Sequence, residues 1–156
     1  MSTANPDFGL PPVIKTITVP WPPAKAFERF TAEISSWWPC QTHSVAESAE
    51  LEIVFEEFSG GRVYEKLGDH SSVWAEVLVW EPPHRFILNW HPGRAAETGG
   101  PVEVRFSEKD SGCQVELTHR GWENLGDDAL ELRTGYDSGW DFVLARYTPA
   151  LSTGAG

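Results

Sequence analysis

The chain has 156 residues, 40% of them hydrophobic and 22% charged, which suits one soluble globular domain with a real core. Its net charge of −11 excludes a nucleic-acid backbone or an anionic membrane surface as the natural partner, because both repel it. No run approaches the ~18 apolar residues that span a bilayer. No basic segment leads into an apolar one near Met1 either, so a cytoplasmic protein without membrane insertion is expected.

Residues 1–12 carry Pro6, Gly9, Pro11 and Pro12 and read as a flexible N-terminal arm. Val13 to Val19 is rich in β-branched residues and alternates at its centre, the pattern of a strand. Pro20, Pro22 and Pro23 end it, and proline is tolerated in the first turn of the helix that follows. In Ala24 to Ile34, the residues Ala26, Phe27, Phe30 and Ile34 fall on one helical stripe. Ser35 to Ser48 is irregular, with Pro39 stopping the helix after Trp37 and Trp38.

Six further strands are predicted: Leu51–Phe55, Arg62–Lys66, Val73–Trp80, Arg85–His91, Val102–Phe106 and Gln114–His119. Turn residues separate them: Ser59-Gly60-Gly61, Gly68-Asp69-His70, Pro82-Pro83, a Gly-rich loop over 92–101 and Asp110-Ser111-Gly112. Asp127 and Asp128 then suit a helix N-terminus. Ala129, Leu132, Tyr136, Trp140, Val143 and Tyr147 recur at steps of three and four, the stripe of a helix of about five turns. Gly135 and Gly139 stand inside it, where glycine costs about 1 kcal/mol each relative to alanine. Either a close approach of the helix to a strand or room for a bound molecule would offset that cost. Residues 151–156 read as a loose tail, leaving 13–150 as a single domain.

Short strands joined by tight turns make an antiparallel sheet, and the long helix is the only element expected to cover one face of it. The gap between sheet and helix is the candidate cavity. Eight tryptophans in so short a chain give that cavity aromatic walls. Trp37, Trp38, Trp74, Trp90, Tyr136 and Trp140 are the candidate ligand-binding aromatics, while Trp21 and Trp80 read as packing.

Three polar residues are candidates for chemistry. His43 lies in the irregular segment after the Trp pair, where it either works as an acid or base at the cavity mouth or bonds to backbone. Glu65 shares a strand face with Val63 and is read either as a cavity carboxylate with a raised pKa or as a rim residue paired with Arg62 or Lys66. His119 ends an inward-facing row with Val115 and Leu117, as a core residue or a cavity one. Glu116 and Thr118 are expected to face solvent, and Arg105 to pair with Glu103 on the outer face. Nothing in the spacing forces His43, Glu65 and His119 into a metal site. Cys40 and Cys113 read as reduced thiols without zinc spacing. The sequence has no nucleophile elbow, phosphate loop or dinucleotide fingerprint, so neither metal nor cofactor is called for.

Six stretches carry a family resemblance: WWPCQTHSV at Trp37–Val45, GGRVYE at Gly60–Glu65, VWAEVLVWEPPHRFILNW at Val73–Trp90, VEVRF at Val102–Phe106, LTHRGWE at Leu117–Glu123 and YDSGW at Tyr136–Trp140. The chain resembles the START-like SRPBCC superfamily and, within it, the AHSA type related to activators of a heat-shock chaperone ATPase. It departs from the pattern at Ala75, where glycine is common, and at Glu57, where proline often stands. The resemblance implies an α+β helix-grip fold of the START/Bet v type. In that fold a curved seven-stranded antiparallel sheet wraps a long C-terminal helix around an internal cavity.

The fold hosts carriers, receptors, cyclases and co-chaperones, so it does not choose a function. Binding of a small hydrophobic or aromatic molecule is the first reading. A cyclase, dehydratase or hydrolase acting on an aromatic or polyketide-like substrate is the second, with His43, Glu65 and His119 as its groups. A chaperone-regulating module is the third, and no chaperone partner is expected; a homodimer stays open.

Overall fold

The computed structural model describes residues 10–149. The expected arm up to residue 9 and the tail from 151 lie outside the described residues. Strand β1 (Val13–Val19) precedes helix α1 (Pro23–Thr31), and strands β2 (Glu52–Phe55), β3 (Arg62–Leu67), β4 (His70–Glu81), β5 (Arg85–Trp90), β6 (Gly100–Lys109) and β7 (Gly112–His119) follow. Helix α2 (Ala129–Tyr147) closes the order. The seven strands form one sheet in the order β1-β7-β6-β5-β4-β3-β2, and every pairing is antiparallel. The register shifts in β3–β4 between Val63 and Tyr64 and in β4–β5 between Val77 and Val79, and such bulges bend and twist a sheet.

Both helices cover the same sheet, which corrects the expectation that α2 alone does so. Helix α1 starts with Pro23 in its first turn and buries Ala26, Phe27 and Phe30. Phe27 meets Phe86 of β5 at 5.7 Å and Phe106 of β6 at 5.1 Å between ring centroids. The stripe continues into Ile34, now in a 3-10 turn at Ile34–Ser36. Trp80 packs edge-on against Phe27, and Trp21 against Tyr147, so both serve packing as expected.

Helix α2 has two halves. Trp140, Val143, Leu144 and Tyr147 are buried, and the Tyr147 hydroxyl donates to the Ala26 carbonyl of α1 at 2.7 Å. Leu132 and Tyr136, on the same stripe, are only half-buried. Asp128 holds the N-cap position without a side-chain cap bond, and Gly126 (φ 61°) kinks the preceding 3-10 segment at Trp122–Asp128. From β1, Lys15 reaches across to α2, pairing with Asp137 and, at 3.0 Å, with Asp141. On the outer face Arg105 pairs with Glu103 at 3.0 Å as expected. Thr118, expected to face solvent, is buried between β1 and β6. Cys40 and Cys113 are buried free thiols. Among the described residues no helix is long and apolar enough to cross a membrane.

Candidate functional site

The segment between α1 and β2 has little regular structure, so something other than a backbone ladder must hold it. Glu65 does so. It projects from β3 beside Val63, and both are fully buried. Its Oε1 accepts the Val45 amide and the Trp74 indole N–H, each at 2.7 Å. Its Oε2 accepts the Ala46 amide and His70 Nε2, each at 2.8 Å. A buried carboxylate is costly unless its oxygens are fully engaged, and here each has two donors. Burial alone raises the Glu65 pKa, but the bonds from Val45, His70, Trp74 and Ala46 more than offset it and hold it below the ordinary 4.5.

Both expectations for Glu65 are therefore corrected. It is neither a cavity acid of raised pKa nor a rim partner of Arg62 or Lys66; Arg62 instead lies 3.8 Å from Glu56. The missing partner, His70, comes from the tightness of the β3–β4 hairpin. Leu67 pairs with His70 across Gly68 and Asp69, so His70 begins a strand instead of ending a turn.

With this segment pinned, a cavity of about 530 Å³ remains between it, the end of β5, the loop after β5 and the first half of α2. Trp38, Trp90, Tyr136 and Trp140 form its aromatic walls, and His43 and Arg94 its basic ones. The Trp90 and Trp140 rings lie 5.3 Å apart, and Trp38 sits 5.9 Å from Trp90 and 6.1 Å from Trp140. Gly135 and Gly139 complete the helix wall. A Cβ on Gly135 would meet nothing within 4 Å, and one on Gly139 only the His43 ring at 3.9 Å. No strand approaches either glycine, so of the two reasons foreseen for them, space is the one the geometry favours.

The expected site residues thus divide. Trp38, His43, Trp90, Tyr136 and Trp140 line the cavity. Trp37 is buried against Phe30 and Tyr147 and donates to the Arg29 carbonyl at 2.8 Å. Trp74 is buried behind Trp38, bound to Glu65. His119 lies behind Trp140 and Tyr136, with its Nδ1 accepting the Trp140 indole N–H at 3.0 Å. Burial, helped by the nearby Arg94 charge, lowers the His119 pKa to about 3, so the ring is neutral and carries its proton on Nε2. Among the described residues no cluster of His, Cys, Asp or Glu is arranged to hold a metal ion.

His43 stacks on Phe142 with ring centroids 4.9 Å apart, and its Nδ1 shares a 2.7 Å hydrogen bond with the Thr42 hydroxyl. Its backbone carbonyl accepts the Trp38 indole N–H at 2.7 Å. Partial burial lowers its pKa, which keeps the imidazole neutral near pH 7. Arg94 was not foreseen. It stands in the Gly-rich loop after β5, next to Gly93 (φ 76°), where no periodic pattern marks which side chains turn inward. His91 positions it. His91 Nδ1 bonds the Arg94 carbonyl at 3.0 Å, and Nε2 bonds the Glu76 carboxylate at 2.9 Å.

A curved antiparallel sheet gripping a C-terminal helix, with an open aromatic cavity between them, defines a helix-grip protein of the SRPBCC class. The chain belongs to the Activator of Hsp90 ATPase homolog 1-like family, whose sequence pattern matches residues 20–146. The Aha1 dimer from Colwellia psychrerythraea superposes with a TM-score of 0.67 at 16% identity, over 94% of this chain and 100% of that one. The anthrahydroquino-gamma-pyrone synthase Txn09 is 32% identical over 82% of this chain and 88% of that one, with a TM-score of 0.55. CalU16 from Micromonospora echinospora reaches a TM-score of 0.58 at 21% identity, over 87% of this chain and 71% of that one. No curated protein matches the chain.

Proposed function

We propose that this protein binds a planar aromatic small molecule in the cavity between α2 and the Trp38–Val45 segment. The observation that carries this reading is that the cavity is left open where its own helix would most easily fill it. Two glycines stand on the helix wall, and a side chain at Gly135 would meet nothing. Cavities of about 300–1,000 Å³ with apolar walls and a few polar groups are the usual form of small-molecule sites. The 32% identity to a synthase of a fused-ring product favours a guest of that shape.

Native mass spectrometry with anthraquinone-2-carboxylate as probe tests the reading. A one-to-one complex that is lost in Gly135→Phe, with that variant folded by circular dichroism, is the expected result. Absence of any complex at saturating probe overturns it.

Turnover of the guest is a second reading, and His43 favours it. A neutral imidazole on the cavity wall can take the proton of a bound ring hydroxyl and, once protonated, return it to the guest. Its test is conversion of an aromatic polyketide precursor, followed by chromatography, in the wild type and in His43→Ala. Conversion undiminished in the variant removes His43 from that role. The likeness to the Aha1 dimer, at 16% identity, supports the fold and leaves chaperone regulation and a homodimer as the weakest readings.

A further inference from the structure

Among the described residues four buried side-chain N–H groups have no partner, those of Arg29, Trp90, Arg94 and Trp122, and two of them belong to residues that line the cavity. Trp90 is buried with 4% of its surface exposed, and its indole Nε1–H makes no hydrogen bond. The buried Nε–H of Arg94 makes none either. A guanidinium offers five N–H donors. The side-chain bond found for Arg94 is from Nη2 to the Tyr136 hydroxyl, at 3.2 Å, with the guanidinium 5.8 Å from the centre of that ring.

Among the described residues no carboxylate lies within 4.0 Å of the Arg94 guanidinium. Acids are not scarce, for the chain holds 23 of them. By contrast Arg85 binds both Glu81 and Glu103, and Lys15 both Asp137 and Asp141. A buried donor left unmet costs about 1–3 kcal/mol, and more on a charged group, so native structures rarely retain one without cause.

The backbone also holds Arg94 in place. Its N–H donates to the His91 carbonyl at 2.9 Å while its own carbonyl accepts from His91 Nδ1 at 3.0 Å. An arginine that lines the cavity, fixed at both backbone groups and without a carboxylate partner, is a preformed site for an acceptor oxygen.

We infer that the guest carries an ionised oxygen, a carboxylate or a phenolate, on its aromatic body, and that the Arg94 guanidinium receives it. This deepens the proposed function and rests on it. The aromatic walls take the rings; Arg94 selects the charge and sets which edge of the guest enters first. Glu131 also lines the cavity and disfavours an anion placed beside it.

The test compares anthraquinone-2-carboxylate with its neutral isostere anthraquinone-2-carboxamide, by quenching of intrinsic tryptophan fluorescence. The carboxylate is expected to bind at least about tenfold tighter, the scale of one charge-assisted hydrogen bond. That preference should vanish in Arg94→Met and persist in part in Arg94→Lys.

Equal binding of the two probes to the wild type overturns the inference and leaves the cavity reading standing. A preference that survives in folded Arg94→Met also overturns it. Failure of both probes to bind overturns both readings together.

Discussion

The indole N–H of Trp140, midway along α2, donates to Nδ1 of His119 at the end of β7 across 3.0 Å. The bond ties the helix to the sheet beside the cavity and requires a deprotonated Nδ1 on the histidine. Protonation at that nitrogen replaces an acceptor with a donor facing a donor.

Stability should therefore fall with acid in a defined window. The folded pKa of His119 is about 3, below its ordinary 6.5, so the unfolded chain takes up the proton first. The stabilisation is complete above about 6.5 and is lost as pH falls toward about 3. Urea unfolding at pH 7 and pH 5 should show this slope, and His119→Gln should flatten it, because glutamine keeps an acceptor for Trp140 without titrating. His43 is shifted in the same direction, so some slope should remain until it too is replaced. An unchanged slope in His119→Gln would show that this histidine is not its source.

Glu65→Gln should destabilise the protein by about 3 kcal/mol, the scale of breaking buried charged hydrogen bonds. The amide keeps one acceptor oxygen and sets its NH2 against two donors. Urea midpoints at constant m measure the loss. Faster amide exchange at Val45 and Ala46 should accompany it, since these N–H groups donate to the carboxylate. In the wild type this contribution is present above pH 4.5 and is lost as pH falls through the lower folded value. A variant of unchanged midpoint would contradict the role given to Glu65.

Gly135→Ala should stabilise the protein and weaken guest binding together. The residue is helical, exposed and free of any contact a Cβ would make within 4 Å. Relief of glycine in a helix is worth up to about 1 kcal/mol, or about 3 °C in Tm for a domain of this size. Thermal melts and probe titrations on one preparation read both effects. Stabilisation without any change in binding would separate the glycine from the cavity.

His91→Gln should loosen the loop that carries Arg94. One glutamine cannot span both the Arg94 carbonyl and the Glu76 carboxylate as the imidazole does. Hydrogen exchange over residues 92–98 should quicken while β6 and β7 stay protected, and the carboxylate probe should bind several-fold more weakly. Exchange unchanged in that loop would rule out the tether.

The strands, both helices and the stripe Leu132–Tyr136–Trp140–Val143–Tyr147 were legible because period-two and period-3.6 patterns report which side chains turn inward. Facing inward is a weaker statement than facing a cavity. Trp74, Trp90, Glu65 and His119 all point inward, yet Trp90 alone of these reaches the open volume. What separates them is the path of the Trp38–Val45 segment over the sheet, which no periodicity encodes. That path depends on Glu65 finding two loop amides, and so on a hairpin one residue tighter than its turn residues suggested. Arg94 stayed hidden because loop sequence carries no facing pattern. Gly135 and Gly139 were the opposite case: a local rule broken inside a helix marked this stretch from the sequence, and the structure chose open space over a close strand as its reason.

The tryptophan cluster gives the protein an optical signature of its own. Trp38 lies 5.1 Å from Trp74, 5.9 Å from Trp90 and 6.1 Å from Trp140, and Trp74 lies 5.8 Å from Trp90. At such spacings the transitions of the indoles couple, so the near-ultraviolet circular dichroism belongs to the group and not to its members. Three of the four border the cavity. A guest that shifts any one ring by a fraction of an ångström therefore rewrites the whole spectrum, and occupancy can be followed in solution without a label.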